Sequence, residues 1–280
     1  MTMKSLVSCV FVAVGVVTAT PGHVLSGFGG PSPAPQRFDS DDWCRQQNWG
    51  NDRAGVCEVR ELTFASAGSL TVDASPNGGI KVEGAPRYDI QMRARVVATA
   101  MTEDRARQIA SAVRIQPSGD RLEADGPQGL GEREGWHVSY ELSVPSQTNL
   151  SLKSTNGGVS IRAVEGRLEF TTTNGGVKLA NIGGDVRGRT TNGGVDIELD
   201  GVSWRGEGLD VQTSNGGVKI AIPDDYSAQL QVGTTNGGMN SDFPMTVKGR
   251  LNRDIDATLG GGGAPIRVRT SNGGVRITKK

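Results

Sequence analysis

Aromatic residues make up only 5% of the 280 residues, and histidine occurs twice, at His23 and His137. So few aromatics leave little material for a thick core, and two histidines so far apart offer few ways to assemble acid–base or metal chemistry. His23 falls in a proline-rich stretch and His137 beside Trp136 in strand-like text, so neither is read as catalytic. Net charge is missing too, because 30 Lys and Arg balance 30 Asp and Glu. No bulk field draws nucleic acid or an anionic membrane, and no nucleic-acid partner is expected. The glycine-rich stretches lack a phosphate-loop lysine and the spacing of calcium-binding repeats, so no cofactor or metal is expected either.

Long apolar runs are also lacking. The best, Leu6 to Val17, is too short to cross a bilayer as a stable helix. With the basic Met1–Lys4 before it and Val17-Thr18-Ala19 after it, residues 1–19 read as a secretory signal. A lipid-attachment box at Leu6-Val7-Ser8-Cys9 is the alternative, but its apolar run follows the cysteine instead of preceding it. Residues 20–42, with Pro21, Pro31, Pro33 and Pro35, read as a linker, and 43–280 as the folded domain with no transmembrane segment. The expected location is the periplasm, the cell surface or the exterior. Signal removal would leave two cysteines, Cys44 and Cys57, and an even count in an exported chain favours a disulfide. On the loop-entropy model such a short loop contributes about 3 kcal/mol.

What the sequence has in quantity is glycine, 41 residues, and one phrase that returns. LSLKSTNGGVSI begins at Leu150, LEFTTTNGGVKL at Leu168, VRGRTTNGGVDI at Val186 and LDVQTSNGGVKI at Leu209. Looser copies lie at Leu230–Met239 and Ile266–Ile277, and an early relative at Leu70–Val82. The triplets are Asn77-Gly78-Gly79, Asn156-Gly157-Gly158, Asn174-Gly175-Gly176, Asn192-Gly193-Gly194, Asn215-Gly216-Gly217, Asn236-Gly237-Gly238 and Asn272-Gly273-Gly274. Apolar residues alternate on both sides of each triplet, so each phrase is two strands with one buried face. Asn and Gly tolerate positive φ, so the triplet is a corner, with that backbone conformation expected at Gly175 and Gly193.

Two architectures fit. Asn-Gly could close a two-residue hairpin and build a sandwich or barrel. Alternatively each phrase is one rung of a single-chain β-solenoid, stacked in parallel on the next. Charges favour the stack: the series Glu169, Arg187, Asp210 and Lys178, Asp196, Lys219 alternate in sign at equivalent positions. The asparagines from 156 to 272 recur about every 20 residues, with a longer gap before 272 that should hide a rung without a triplet. One helix is expected over Glu103–Val113, capped by Thr102 and burying Ala106, Ile109, Ala110 and Val113. It could cover an exposed strand edge.

Only one patch suggests a ligand. Asp196, Glu198 and Asp200 project from one side of a strand, with Arg187 and Arg189 expected on the segment beside them. A salt-bridged, solvated face is the plain reading, and a cation or sugar contact the sharper one.

The Cys44–Cys57 loop followed by Glu58-Val59-Arg60-Glu61, the strand WHVSYELSVP, the TNGGV rungs and the closing TSNGGVRI together resemble the bacterial putative-adhesin family with β-strand repeats, whose function is unknown. The resemblance spans Trp43 to Lys280 and implies a single-chain β-helix; it supplies no catalytic residues. The expectation is an exported, non-enzymatic module that binds a protein or glycan of the cell envelope. The rival is a carbohydrate-active enzyme on a β-helix scaffold, which converging carboxylates in a deep groove would betray.

Overall fold

Each Asn-Gly-Gly corner carries the chain from one sheet to the other, so the two halves of every phrase end on different sheets. The computed structural model describes residues 42–45, 52–243 and 253–280, which belong to one unit, Asp39–Lys280. The expected signal and all of the expected linker except Asp42 lie outside the described residues.

The chain opens with α1 (Asp42–Arg45), β1 (Ala54–Ala65), β2 (Ser69–Asp73), β3 (Ile80–Ala85) and β4 (Asp89–Ala100). Next come α2 (Glu103–Ala112), β5 (Arg114–Ser118), β6 (Arg121–Asp125) and β7 (Gly135–Pro145). The four central phrases supply β8 (Asn149–Ser154) and β9 (Val159–Arg162), β10 (Glu165–Thr172) and β11 (Val177–Ala180), β12 (Gly183–Asn192) and β13 (Val195–Glu198), β14 (Gly208–Asn215) and β15 (Val218–Ile222). The remainder is β16 (Ala228–Asn236), β17 (Met239–Ser241), β18 (Asp254–Leu259), β19 (Pro265–Asn272) and β20 (Val275–Lys279).

Two ten-stranded sheets result. Sheet 1 runs β1-β4-β7-β3-β9-β11-β13-β15-β20-β17, and sheet 2 runs β18-β16-β19-β14-β12-β10-β8-β2-β6-β5. Neither closes into a barrel. From β8 to β15 each phrase pairs in parallel with the next: Leu150, Leu168, Val186 and Leu209 are neighbours on sheet 2, and Val159, Val177, Val195 and Val218 on sheet 1. No triplet in this run closes a hairpin. Glu169, Arg187 and Asp210 stand in register, as do Lys178, Asp196 and Lys219, so opposite charges face each other from strand to strand. The fold is all-β with solenoid-like repeats.

Stacking in chain order holds only for the middle. At one end β19 and β20 insert between the fourth central phrase and β16–β17, so the last phrase lies inside the fifth. At the other end β6 and β7, a rung with no triplet, lie outside β2 and β3. The long gap before Asn272 therefore holds no extra rung among its described residues; it holds β18, which runs antiparallel to β16. β18 takes the outer side of β16, and the last phrase enters on the inner side, between β16 and β14. Antiparallel strands close the opposite end too, β4 on β7 and β1 on β4 in sheet 1, and β5 on β6 in sheet 2. Antiparallel strands thus stand at three of the four sheet edges among the described residues, and β17, parallel to β20, is the fourth.

The expected helix is α2. Thr102 Oγ1 accepts from the Arg105 backbone N–H, and Ala106, Ile109 and Ala110 are buried against β1, β4 and β7. Arg60 of β1 donates to the carbonyls of Ala110 and Val113 and so finishes the last turn. The helix packs on the inner face of the terminal strands of sheet 1, and not along an unpaired edge as the sequence reading allows.

Between the sheets the core is a set of columns. Ile161, Leu179, Ile197, Ile220 and Ile277 form one, and all are nearly inaccessible to water. Each such side chain contributes about 1.5–3 kcal/mol. The one central phenylalanine, Phe170, needs a gap in the next rung: a Cβ on Gly188 would lie 1.9 Å from its ring.

The corner glycines correct the sequence reading. No triplet glycine has positive φ; among described glycines that conformation falls at other turns, such as Gly260, Gly262 and Gly263. The first glycine of each triplet is required for a different reason. A Cβ on Gly157, Gly175, Gly193 or Gly216 would stand 1.9–2.1 Å from the carbonyl oxygen of the equivalent glycine one rung away. Backbone therefore packs on backbone at the corner, which only glycine permits. Two hydrogen-bonded ladders run beside it. Asn156, Asn174, Asn192 and Asn215 each donate through Nδ2 to the Oδ1 of the previous asparagine at 2.7–2.8 Å, and Asn272 and Asn236 continue the row. Thr172, Thr190 and Thr213 hydroxyls donate to the carbonyls of Gly157, Gly175 and Gly193, at 2.8–2.9 Å.

Candidate functional site

The residue after each triplet points inward, so the second glycine before it and the polar residue after it both face out from sheet 1. Gly79, Gly158, Gly176, Gly194 and Gly217 stand in register over five rungs, and having no side chains they leave a trough of about 1080 Å³. Five rungs span about 19 Å at the usual strand spacing. Lys81, Ser160, Lys178, Asp196 and Lys219 line one side. Arg95 of β4, with His137 and Glu141 of β7, forms one end.

Trp43 closes that end. Its helix is tied down by a disulfide between Cys44 and Cys57, whose Cα atoms are 5.7 Å apart. The guanidinium groups of Arg93 and Arg95 lie 5.5 and 5.1 Å from its ring centre, and Arg95 also donates to its carbonyl. Glu141 accepts from Arg93 at 2.8 Å and from Lys81 at 3.3 Å. Burial, and then the positive charge of Arg95, hold His137 below its ordinary pKa, so its imidazole is neutral at the wall.

The acidic patch divides. Asp196 lines the trough between Lys178 and Lys219, whereas Glu198 and Asp200 receive the Lys280 ammonium at 2.7 and 3.5 Å. The Lys280 hydrogen bond holds the Glu198 carboxyl below its usual range. Arg187 and Arg189 do not lie beside this patch: they belong to β12, on sheet 2, and Arg187 pairs with Asp185. The corner sends the two halves of a phrase to different sheets, so nearness in sequence is misleading. Trp43, Arg95, Lys81 and Glu141 were not singled out from sequence. The signal lay in the disulfide, which fixes Trp43 against whatever strand pairs with β1.

The two carboxylates of the trough, Glu141 and Asp196, lie on β7 and β13, four strand steps or about 19 Å apart. Glycoside-hydrolysing pairs stand about 5–9.5 Å apart. The arrangement suits contact with a long ligand: a smooth glycine floor, a wall of three lysines with one serine and one aspartate, and an aromatic end.

A family model described as Toastrack DUF4097 matches residues 67–278, three-quarters of the chain. The chain belongs to that family. The Toastrack match covers the stack from just before β2 to β20 and bears out the resemblance read from the repeats. No curated protein matches this Toastrack chain. Among solved structures it is similar to a putative cell adhesion protein from Clostridium sporogenes, with 13% identity, a TM-score of 0.41, and coverage of 80% of this chain and 100% of that one. A putative adhesin from Bacteroides fragilis has 12% identity and a TM-score of 0.37, over 80% and 97% of the two chains. A putative lipid binding protein from Parabacteroides distasonis has 10% identity and a TM-score of 0.34, over 80% and 96%.

Proposed function

We propose that this is an exported, non-enzymatic β-solenoid of about 20-residue rungs that acts as an adhesin-like module of the cell envelope or surface. Residues 1–19 serve as its signal, 20–42 as its linker and 43–280 as the binding domain. The trough on sheet 1 holds an extended partner, a glycan or polypeptide of the envelope. The carrying observation is the floor of five aligned glycines, which admits a linear chain along the stack without side-chain obstruction. The Cys44–Cys57 disulfide suits an oxidising compartment. The separation of Glu141 from Asp196 weighs against the glycan-cleaving alternative.

Gly176→Leu tests the reading. A Cβ there has no neighbour closer than 3.6 Å, so the new side chain fills the trough without disturbing the corner. Binding to fractionated envelope glycans and peptides should fall while the circular dichroism spectrum stays unchanged. Undiminished binding, or turnover of a polysaccharide by the purified protein, would overturn it.

A further inference from the structure

A second groove, of about 590 Å³, lies on the outer face of sheet 2, where β12, β14, β19 and β16 run in parallel and β18 turns back alongside. Arg189, Arg253 and Arg269 line it. All three are exposed, and none makes an ion pair or a side-chain hydrogen bond among the described residues. By contrast, Arg167 and Arg187 on the same face both reach Asp185, and Arg267 donates to Gln231. The groove has a single carboxylate, Asp254, so three positive charges meet one negative in a chain whose formal charges cancel. Exposed hydroxyls run across it, Ser214 beside Ser271 in the row that precedes the asparagines.

We infer that this groove binds an acidic polysaccharide. Arg189 and Arg269 lie two strands apart, about 10 Å, and point the same way from their strands, so they can meet anions repeated along an extended chain. Guanidinium forks grip carboxylate, sulfate and phosphate alike, and the hydroxyl row offers both donors and acceptors to sugar hydroxyls. A single-stranded nucleic acid fits less well, because none of the lining residues is aromatic and bases would have no ring to stack on.

The test uses dextran sulfate as the anionic probe, with neutral dextran and duplex DNA beside it, titrated calorimetrically at constant low salt. Dextran sulfate should bind and neutral dextran should not. The Arg189→Ala/Arg269→Ala variant should lose about tenfold or more in affinity, the worth of one charge-assisted contact. Arg167→Ala/Arg187→Ala removes the same charge from the same face but takes away paired arginines, so it should lose far less. Arg269→Gln alone gives the same reading if the double variant folds poorly. Gly176→Leu, which blocks the trough on sheet 1, should leave this binding intact and so separates the two sites. Absence of dextran sulfate binding, an equal loss in the control variant, or DNA binding of equal strength with the same arginine dependence would overturn the inference.

Discussion

Adjacent glycines in one triplet should respond very differently to the same small change. In Gly193→Ala the new methyl would stand 1.9 Å from the Gly175 oxygen and 2.5 Å from its carbon. Contact distance is near 3.5 Å, so the rungs must part by about 1.5 Å at a corner where strands sit about 4.8 Å apart. Overpacking of that kind costs about 1–3 kcal/mol. The corner would also loosen three bonds: Thr190 Oγ1 to Gly175 O at 2.9 Å, Asn192 Nδ2 to Asn174 Oδ1 at 2.8 Å, and the Asn192 backbone N–H to Thr173 O at 2.7 Å. At about 1 kcal/mol each, the total comes to roughly 4–6 kcal/mol. In Gly194→Ala the nearest atom, Gly217 O, is 3.4 Å away, and the lost flexibility of the unfolded chain offsets the contact by about 0.4–1 kcal/mol. Urea denaturation of the two variants measures the difference. Hydrogen exchange should speed up near both Val177 and Val218 in Gly193→Ala alone, since rungs couple through their neighbours. Equal losses in the two variants would refute the close-approach argument and return the corner to an effect of backbone torsion.

Three further outcomes follow from the structure. Non-reducing digestion and mass spectrometry should recover a peptide linking Cys44 to Cys57, and two freely alkylated thiols in the folded protein would contradict the observed bridge. Gly188→Ala should destabilise by about 1–3 kcal/mol in thermal melts, because its methyl meets the Phe170 ring, and Phe170→Leu in the same chain should restore much of the loss. His137 is held neutral in the fold, so the unfolded chain binds its proton first: stability is full above the ordinary value of about 6.5 and falls as pH drops below it. Melting temperatures measured from pH 7.5 down to 5.5 should fall less in His137→Gln than in the parent, and identical slopes would rule His137 out as the cause.

Much of the scaffold was legible. Period-two alternation marks the strands, the triplets mark the corners, and the sign alternation through Glu169, Arg187 and Asp210 marks parallel neighbours. Thr102 and the face of Ala106, Ile109 and Ala110 marked the helix. The order of the stack was hidden because the phrases are nearly alike, so any one can pair with any other. Connections such as β18 decide, and their antiparallel return has no signature in the repeat. Positive φ is the expected reason for the corner glycines, but close approach makes only the first of each triplet indispensable, and torsional freedom and close approach select the same residue. The trough was invisible for a related cause: its floor is made of absent side chains on five separate rungs, and its aromatic end comes from a helix about 35 residues before the first triplet.

The interleaving at the two ends also bears on how such a chain can change in length. In a stacked-repeat protein each unit settles on the face that its neighbour leaves open. Here a copy appended after Lys280 would meet no vacancy, because the last phrase is wedged between β15 and β17. The permissive register is the interior, where Asn156, Asn174 and Asn192 recur every 18 residues and each copy touches only its own kind. Inserting one more 18-residue unit there would lengthen both the asparagine row and the glycine floor by one step while leaving the closures untouched. The middle of the stack therefore has room for another unit in a way that the wedged last phrase does not.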